Sequence, residues 1–279
     1  MSLYICSLNS GSNGNCYYIG NDNDAVLIDA GLSCKDTEKR MKKLGLNMGT
    51  VKAIFISHEH TDHVKGLPMI AEKYSLPIYI TPQTAKFYPV KLKLDLFRPF
   101  KALKPVQVGS LQVIPFCKEH DAADPHSFIV MGNGVTIGIF TDIGRPCENL
   151  IHHFRKCHGA FLETNYDEEM LEKGTYPIHL KNRIRNGKGH LSNRQAWELY
   201  IKHRPPFMSH LVLSHLSANN NREDKVEELF GQQEFETKII IASRFESTQV
   251  YKVSHSGGND KSAIAPGNYA IRPTQLRLF

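Results

Sequence analysis

Three histidines and an aspartate stand within six residues, directly after an apolar segment. The segment Val51-Lys-Ala-Ile-Phe-Ile-Ser57 has the nearly continuous apolar character of a strand buried on both faces, and the chain then enters His58-Glu-His-Thr-Asp-His63. These side chains can converge only if the chain bends sharply after the strand. Imidazole and carboxylate groups together suit zinc, manganese or iron. The segment therefore predicts a metal site, in preference to a solvated histidine-rich turn.

The histidine-rich segment also indicates a fold. It differs from the zinc-binding HExxH helix, because the fourth residue after His58 is Asp62 rather than histidine. It resembles the HxHxDH signature of the metallo-β-lactamase superfamily, and this resemblance implies an α/β fold, an αββα sandwich of four layers. Strand-rich stretches followed by helical stretches favour the same arrangement, with two sheets packed face to face and helices outside.

The resemblance implies further ligands at later strand ends, and the chain has a candidate for each. Asp29 follows an early strand in Val-Leu-Ile-Asp, His120 follows an apolar run ending at Cys117, and Asp142 and His215 each end another apolar run. The family pattern implies two divalent metal ions, zinc, manganese or iron. The first would be bound by His58, His60 and His120, the second by Asp62, His63 and His215, with Asp142 bridging and Asp29 orienting the site from behind. His126, six residues after His120, is expected to be structural.

Size, cysteines and charge limit the class of protein. With 279 residues and 41% hydrophobic content, we expect one catalytic domain over residues 1–256 and a flexible tail over residues 257–279. No apolar run approaches the length of a membrane span. The six cysteines are scattered without a CxxC pair, which predicts reduced thiols in a cytoplasmic protein. The net charge of +6 favours an anionic partner only if the cations cluster.

A second group of motifs concerns the substrate. Glu163-Thr-Asn165, Gly189-His-Leu-Ser192 and Leu213-Ser-His-Leu-Ser217 resemble late motifs of the phosphodiesterase branch that includes RNase Z. The resemblance implies that His190 is a general acid or phosphate ligand with Glu163 as its carboxylate partner. The candidate catalytic residues are therefore His190, Glu163 and the ligand Asp62. Gly189-His-Leu-Ser192 also suits a loop in which Ser192 caps the next helix, and both roles are compatible.

Basic residues cluster just before His190. Lys181, Arg183, Arg185 and Lys188 stand in a run without an acid, which predicts contacts with a phosphate backbone, although a solvated face is the usual interpretation of such a run. Asn165 and Asn15 are further candidate substrate contacts. Asn15 ends the loop Ser10-Gly-Ser-Asn-Gly-Asn15, which a tight turn between strands explains equally well.

A second basic stretch, from Lys86 to Lys104, interleaves cations with aromatic side chains. Such a mixture can bind a single strand by charge and stacking, and an ordinary loop anchored by its aromatic residues is at least as good an explanation.

Taken together, these motifs closely resemble the YycJ/WalJ family of bacterial metallo-β-lactamase-fold proteins, over the whole chain up to the tail. The resemblance implies a DNA exonuclease that acts from the 5′ end and is linked to repair. No β-CASP module fits between Asp142 and His215. A small-molecule hydrolase, such as a cyclic-nucleotide phosphodiesterase or a thioesterase, would need the metals but not the basic run. A non-catalytic nucleic-acid scaffold is the second alternative, and the complete ligand set argues against it.

The last five residues, Gln275-Leu-Arg-Leu-Phe279, form an apolar cluster after a polar segment. They resemble the QLxLF peptide by which bacterial repair and replication proteins bind the DNA polymerase sliding clamp. In that mode Gln275 would make polar contacts, and an apolar groove would receive Leu276, Leu278 and Phe279. The alternative is a final strand packed on the catalytic domain.

Overall fold

The computed structural model describes residues 2–88, 95–231, 235–255 and 263–264, and within them the strands form two sheets. Six strands of the first sheet come early in the chain: β1 (Ser2–Asn9), β2 (Cys16–Gly20), β3 (Ala25–Ile28), β4 (Val51–Phe55), β5 (Ile78–Tyr79) and β6 (Phe97–Arg98). The second sheet contains β7 (Val106–Val108), β8 (Leu111–Cys117), β9 (His126–Gly132), β10 (Val135–Phe140), β11 (Gly159–Glu163), β12 (His210–Ser214) and β13 (Lys238–Ile241). The chain then returns to the first sheet with β14 (Val250–Ser254) and β15 (Ala263–Ile264).

The spatial order of the strands is β15-β14-β1-β2-β3-β4-β5-β6 in the first sheet and β13-β12-β11-β10-β9-β8-β7 in the second. Nine α-helices are present among the described residues: α1 (Cys34–Lys43), α2 (Thr61–Val64), α3 (Leu67–Tyr74), α4 (Pro82–Phe87), α5 (Glu148–Phe154), α6 (Glu168–Lys173), α7 (Ile178–Arg185), α8 (Asn193–His203) and α9 (Glu223–Phe230). A 3₁₀ helix, Met48–Thr50, precedes β4. No described helix is long and apolar enough to cross a membrane.

The alternation of side chains along β3 shows how the layers form. Val26 and Ile28 belong to the core between the two sheets, whereas Ala25 and Leu27 belong to the core beneath the helices. Because successive strand residues point to opposite faces, a strand that is apolar at every position needs a packing partner on each side. The inter-sheet core is completed from the second sheet by residues such as Phe128.

Helices cover the outer face of each sheet. Met41 of α1 and Ile70 of α3 pack in the cluster against the first sheet. Phe154 of α5, Leu199 of α8 and Phe230 of α9 pack in the cluster against the second sheet. The predicted αββα sandwich of four layers is therefore confirmed.

The predicted boundary at residue 256 stays a prediction, and one short strand is described beyond it. Of the segment predicted as a flexible tail, the structure describes Ala263–Ile264, and these residues pair antiparallel with Val250 and Tyr251 of β14. This pair belongs to the first sheet. The QLxLF-like segment lies outside the described residues.

The parallel strands direct the predicted site residues to one edge. In the first sheet β3 and β4 are parallel, and Asp29 and His58 follow their carboxyl ends. In the second sheet β10, β11 and β12 are parallel, and their ends lead to Asp142, Glu163 and His215. Carboxyl ends of parallel strands share an edge, so side chains from distant segments meet there.

Three of the strand-end residues have an unusual backbone. Asp29, Asp142 and His215 adopt positive φ angles of 62°, 55° and 60°. This left-handed conformation is uncommon for residues other than glycine, and it persists where the surrounding structure holds it. Such conformations cluster at functional sites, and all three of these residues belong to the predicted metal site.

Candidate metal centre

The predicted ligands converge into two groups. The ligand atoms of His58, His60 and His120 lie within 4.8 Å of one another, and so do those of Asp62, His63 and His215. Asp142 lies close to both groups. A carboxylate oxygen of Asp142 lies within 4.8 Å of ligand atoms of His58 and His63, and one lies equally close to those of Glu163, His190 and His215. The grouping matches the two ligand sets implied by the family pattern.

Asp142 lies between the two groups and is buried. Its Oδ2 is 3.2 Å from His63 Nε2, while its Oδ1 is 3.9 Å from His120 Nε2 and 3.6 Å from His215 Nδ1. A carboxylate with both oxygens directed at different ligand sets has the position expected of a bridging ligand.

The imidazoles are oriented by hydrogen bonds at Nδ1. The Nδ1 of His120 is 2.9 Å from the carbonyl oxygen of Gly189, that of His215 is 3.0 Å from Glu163 Oε1, and that of His63 is 2.7 Å from Asp29 Oδ2. A proton held at Nδ1 by an acceptor leaves Nε2 with its lone pair, which is the usual arrangement in histidine metal ligands.

The free nitrogen atoms fit a divalent metal ion. The Nε2 atoms of His120 and His215 are buried and have no hydrogen-bond partner among the described residues. Buried polar atoms without a partner are costly, and a bound cation would satisfy both. Burial lowers the pKa of His120 to about 3 and that of His58 well below its ordinary value, so both rings are neutral, as metal binding requires.

The second ligand group, which contains His63 and His215, is rich in negative charge. Burial alone would lower the pKa of His63, but the carboxylates of Asp142, Asp29 and Asp62 raise it well above its usual range. Burial also opposes protonation of His215, whose pKa Asp142 and Glu163 nevertheless raise. These carboxylates give this ligand group a negative environment, which a bound divalent ion would neutralise.

Asp29 supports the centre through Ser57. Asp29 Oδ1 accepts a hydrogen bond of 2.8 Å from the backbone N–H of Ser57, and its Oδ2 accepts one of 2.9 Å from the Ser57 hydroxyl. The Ser57 Oγ is also 2.9 Å from His58 Nδ1. One carboxylate thus fixes the orientation of His63 directly and of His58 through Ser57. The role predicted for Asp29 remains a proposal, and these contacts support it.

Replacing Asp29 with Asn should weaken metal binding by about 10- to 100-fold, the usual effect of removing an outer partner of a histidine ligand. Asparagine keeps the side-chain shape and tolerates the positive φ at this position. The measurement is a competition titration against a chromophoric chelator. Asp24→Asn is the matched control, because Asp24 bonds Ser110 at the opposite end of β3. Equal metal affinity in Asp29→Asn and the wild type would contradict the supporting role.

His190 and Glu163 form a pair beside the ligands. His190 Nδ1 is 2.8 Å from Glu163 Oε1, and the same oxygen lies 3.0 Å from His215 Nδ1. Glu163 Oε2 accepts hydrogen bonds from the backbone N–H groups of Ile143 and Leu191. Burial would raise the pKa of Glu163, but His190 and His215 hold it below its ordinary value. Glu163 is therefore an anchored carboxylate that orients two rings.

Ser192 also has the capping role considered for it. Its hydroxyl accepts from the backbone N–H of Gln195, whose side chain accepts from the Ser192 N–H, a complete capping box at the start of α8. The capping and catalytic interpretations of the Gly189–Ser192 segment are therefore compatible.

A cavity of about 250 Å³ opens onto the cluster. The predicted site residues that line it include the ligands His60, Asp62, His120, Asp142 and His215, together with His190, Asn165 and Arg183. Its rim adds Ser12, Tyr176, Leu180 and Ser217. Asn165 also supports a ligand, since its Nδ2 donates to the carbonyl oxygen of His215 at 2.8 Å.

Three of the predicted substrate residues do not line the cavity. Asn15 is fully buried, and its amide lies 3.1 Å from both Asp62 Oδ2 and His63 Nε2, so it contacts ligands rather than the cavity. Lys181 is buried and donates to the carbonyl oxygen of Glu172, and Arg185 pairs with the Glu172 carboxylate. None of these three residues lines the cavity, and each has polar atoms occupied within the protein, so their substrate roles stay predictions that these contacts do not favour.

The remaining cations of the run differ in position. Lys188 is exposed and does not line the cavity. Arg183 does line it, and its Nε lies 2.5 Å from Asp121 Oδ2. Sequence reasoning missed Asp121, although its place directly after His120 was a usable signal. It also missed Lys118, which is buried and donates to the carbonyl oxygen of Thr141 next to Asp142.

The second basic stretch fits the anchored-loop alternative where it is described. Phe100 is buried in the inter-sheet core and contacts Phe128 and His126. Residues 89–94 of the stretch, including Lys91 and Lys93, lie outside the described residues. His126 is buried with its Nδ1 2.9 Å from the carbonyl oxygen of Asp124, which agrees with the structural role expected for it.

Comparison with known proteins identifies the class. A family model described as the metallo-beta-lactamase superfamily matches residues 10–203. The fold, the ligand cluster and this match agree: the chain belongs to the metallo-β-lactamase superfamily.

Two relatives place the chain more narrowly. It is 34% identical over 227 residues to exodeoxyribonuclease YycJ of Bacillus anthracis, covering 80% of this chain and 86% of the relative. It is 31% identical over 219 residues to exodeoxyribonuclease WalJ of Streptococcus pneumoniae serotype 2, covering 77% and 81%. Within the superfamily, the chain belongs to the YycJ/WalJ family.

A solved structure supports the fold assignment independently. The metallo-beta-lactamase fold protein YhfI from Bacillus subtilis superimposes with a TM-score of 0.69 at 15% sequence identity, covering 90% of this chain and 99% of that chain. At this identity the similarity establishes the shared fold alone.

Proposed function

We propose that the chain is a metal-dependent phosphodiester hydrolase whose substrate is DNA. It acts as an exonuclease that degrades DNA from the 5′ end in a repair process. The observation that carries the proposal is His190 held by Glu163 at the wall of a cavity whose floor is the ligand cluster. The names of the YycJ and WalJ relatives support DNA as the substrate.

The cofactor in this proposal is a pair of divalent ions, zinc, manganese or iron. His58, His60 and His120 would hold one, and Asp62, His63 and His215 the other, with Asp142 between them. When bound, such ions supply Lewis-acid stabilisation of the phosphodiester oxygens and acidify water at neutral pH. The two converging ligand groups support a pair rather than a single ion.

The protein's own residues then handle the substrate's proton and charge. Glu163 accepts a hydrogen bond from His190 Nδ1, and with a second proton at Nε2 the His190 ring can donate that second proton to the leaving oxygen. Among the described residues that line the cavity, Arg183 is the only lysine or arginine, and it is the side chain we assign to a substrate phosphate. Asp121 holds its guanidinium near the cluster until the phosphate arrives.

The experiment is to incubate purified protein and Mn²⁺ or Zn²⁺ with end-labelled single- and double-stranded DNA and RNA. We expect release of the 5′ label from DNA as mononucleotides. A cyclic nucleotide and a thioester are tested in parallel, because a small-molecule hydrolase would use the same cluster. Turnover of either without degradation of any polynucleotide would overturn the nuclease proposal in favour of that alternative.

The proposed location is the cytoplasm, and the proposed protein partner is the DNA polymerase sliding clamp. All six cysteines are unpaired in the structure, which supports a cytoplasmic location. We also propose that Gln275, Leu276, Leu278 and Phe279 bind the DNA polymerase sliding clamp, on the support of the sequence motif.

A truncation after Thr274 tests clamp binding. The full chain should bind the purified clamp in a surface plasmon resonance titration, and the truncated chain should not, because the side chains of the apolar motif are gone. Nuclease activity on a short oligonucleotide should be equal in both. Equal clamp binding by both chains, or by neither, would refute the interaction. A lower melting temperature after truncation would favour a packed final strand.

A further inference from the structure

Phe245 is an aromatic side chain exposed on a firmly held loop. It is 80% exposed, more than any other large apolar side chain among the described residues. The loop backbone is fixed on every side: the carbonyl oxygens of Ser243, Arg244 and Phe245 accept hydrogen bonds from Ser10 N, Asn13 Nδ2 and Arg40 Nη2 respectively. The ring is therefore presented to solvent by a rigid support.

This loop adjoins the rim of the metal cavity. Arg244 Nη2 is 3.3 Å from the hydroxyl of Ser12, and Ser12 lines the cavity. The Arg244 guanidinium lies 5.9 Å from the centre of the Phe245 ring. Arg244 thus lies beside a residue that lines the cavity, and the exposed ring of Phe245 lies next to Arg244. The next residue in the chain, Glu246, lies 3.9 Å from Lys43, which offsets its charge.

We propose that Phe245 stacks on an unpaired base of the substrate strand outside the cavity, with Arg244 neutralising the adjoining phosphate. The inference rests on the proposed function and adds to it a preference for single-stranded ends. Base stacking on an aromatic ring is tolerant of sequence, since every base has a π-face. The cavity is small, so a strand whose terminal phosphodiester enters it must leave the next bases at the rim.

The test compares variants that separate stacking from apolar contact. Phe245→Leu keeps an apolar side chain without a π-face, and Phe245→Trp keeps the face. Phe207→Leu is the matched control, because Phe207 is also exposed but precedes β12, at the opposite end of that strand from His215. The measurements are anisotropy titrations with a fluorescent single-stranded oligodeoxynucleotide, and hydrolysis of bis(p-nitrophenyl) phosphate, each with the metal-loaded full chain.

Phe245→Leu should weaken oligonucleotide binding by about tenfold, whereas Phe245→Trp and Phe207→Leu should bind as the wild type does. Hydrolysis of bis(p-nitrophenyl) phosphate should be unchanged in all variants, because this ester reaches only the metal centre. Wild-type binding by Phe245→Leu, in an enzyme that degrades DNA, would overturn the stacking inference alone. A wild type that binds but does not degrade DNA would refute the nuclease proposal, and one that does neither would refute both.

Discussion

Replacing Asp142 with Asn is expected to abolish DNA hydrolysis and to lower metal content. The carboxylate lies buried between both ligand groups, and the substitution removes the charge and the bridging capacity while preserving shape. Asparagine also accepts the φ angle of 55° at this position, so the fold should be retained. Metal affinity should fall by more than the roughly 100-fold upper effect of losing an outer partner. His60→Ala should behave in the same way.

The measurements for these variants are metal analysis by emission spectrometry and the rate of DNA degradation. Asp36→Asn is a suitable control, because Asp36 is exposed in the first turn of α1. Wild-type activity in Asp142→Asn or in His60→Ala would rule out a mechanism that depends on the ligand cluster.

Replacing His190 with Ala should slow hydrolysis by about 10²- to 10⁴-fold, the usual contribution of a positioned general acid. The protein should keep its metal content, because His190 is assigned to the leaving oxygen and not to an ion. A substrate with a good leaving group, such as a p-nitrophenyl phosphodiester, needs little protonation and should lose much less rate. His152→Ala, which changes an exposed histidine outside the cavity, provides the control.

Metal analysis separates the two roles that geometry allows for His190. One of its ring nitrogens lies within 4.8 Å of ligand atoms of Asp142, Glu163 and His215. Loss of metal from His190→Ala would reassign it as a ligand or as a support for the ligands. Equal loss of rate on both kinds of leaving group would also contradict the general-acid role.

The candidate metal ligands could be predicted from sequence because each lies at the end of a strand or in the short segment that follows one. Continuous apolar runs, such as the one before His58, predict buried strands. Parallel strands bring their carboxyl ends to a common edge of the sheet. The residue type at that edge then identifies the chemistry. The same reasoning predicted two sheets packed face to face with helices outside.

Substrate contacts were harder to predict because they depend on which way a side chain turns. Lys181, Arg183 and Arg185 lie on one short helix, α7, yet Lys181 and Arg185 turn towards Glu172 and Arg183 towards Asp121. Nothing within α7 distinguishes these directions, since the acceptors lie outside it, at Glu172 in α6 and at Asp121 beside His120. Phe245 was missed for a related reason, because its exposure depends on the fixed backbone of its loop.

Metal dependence is measured as the rate of DNA degradation by a single preparation before metal removal, after chelation, and after stoichiometric return of Mn²⁺ or Zn²⁺. Hydrolysis should disappear on chelation and return as about two ions per chain are restored, the number that a bridged dinuclear site holds. Hydrolysis that continues at its initial rate in the metal-free protein would contradict a metal-dependent mechanism.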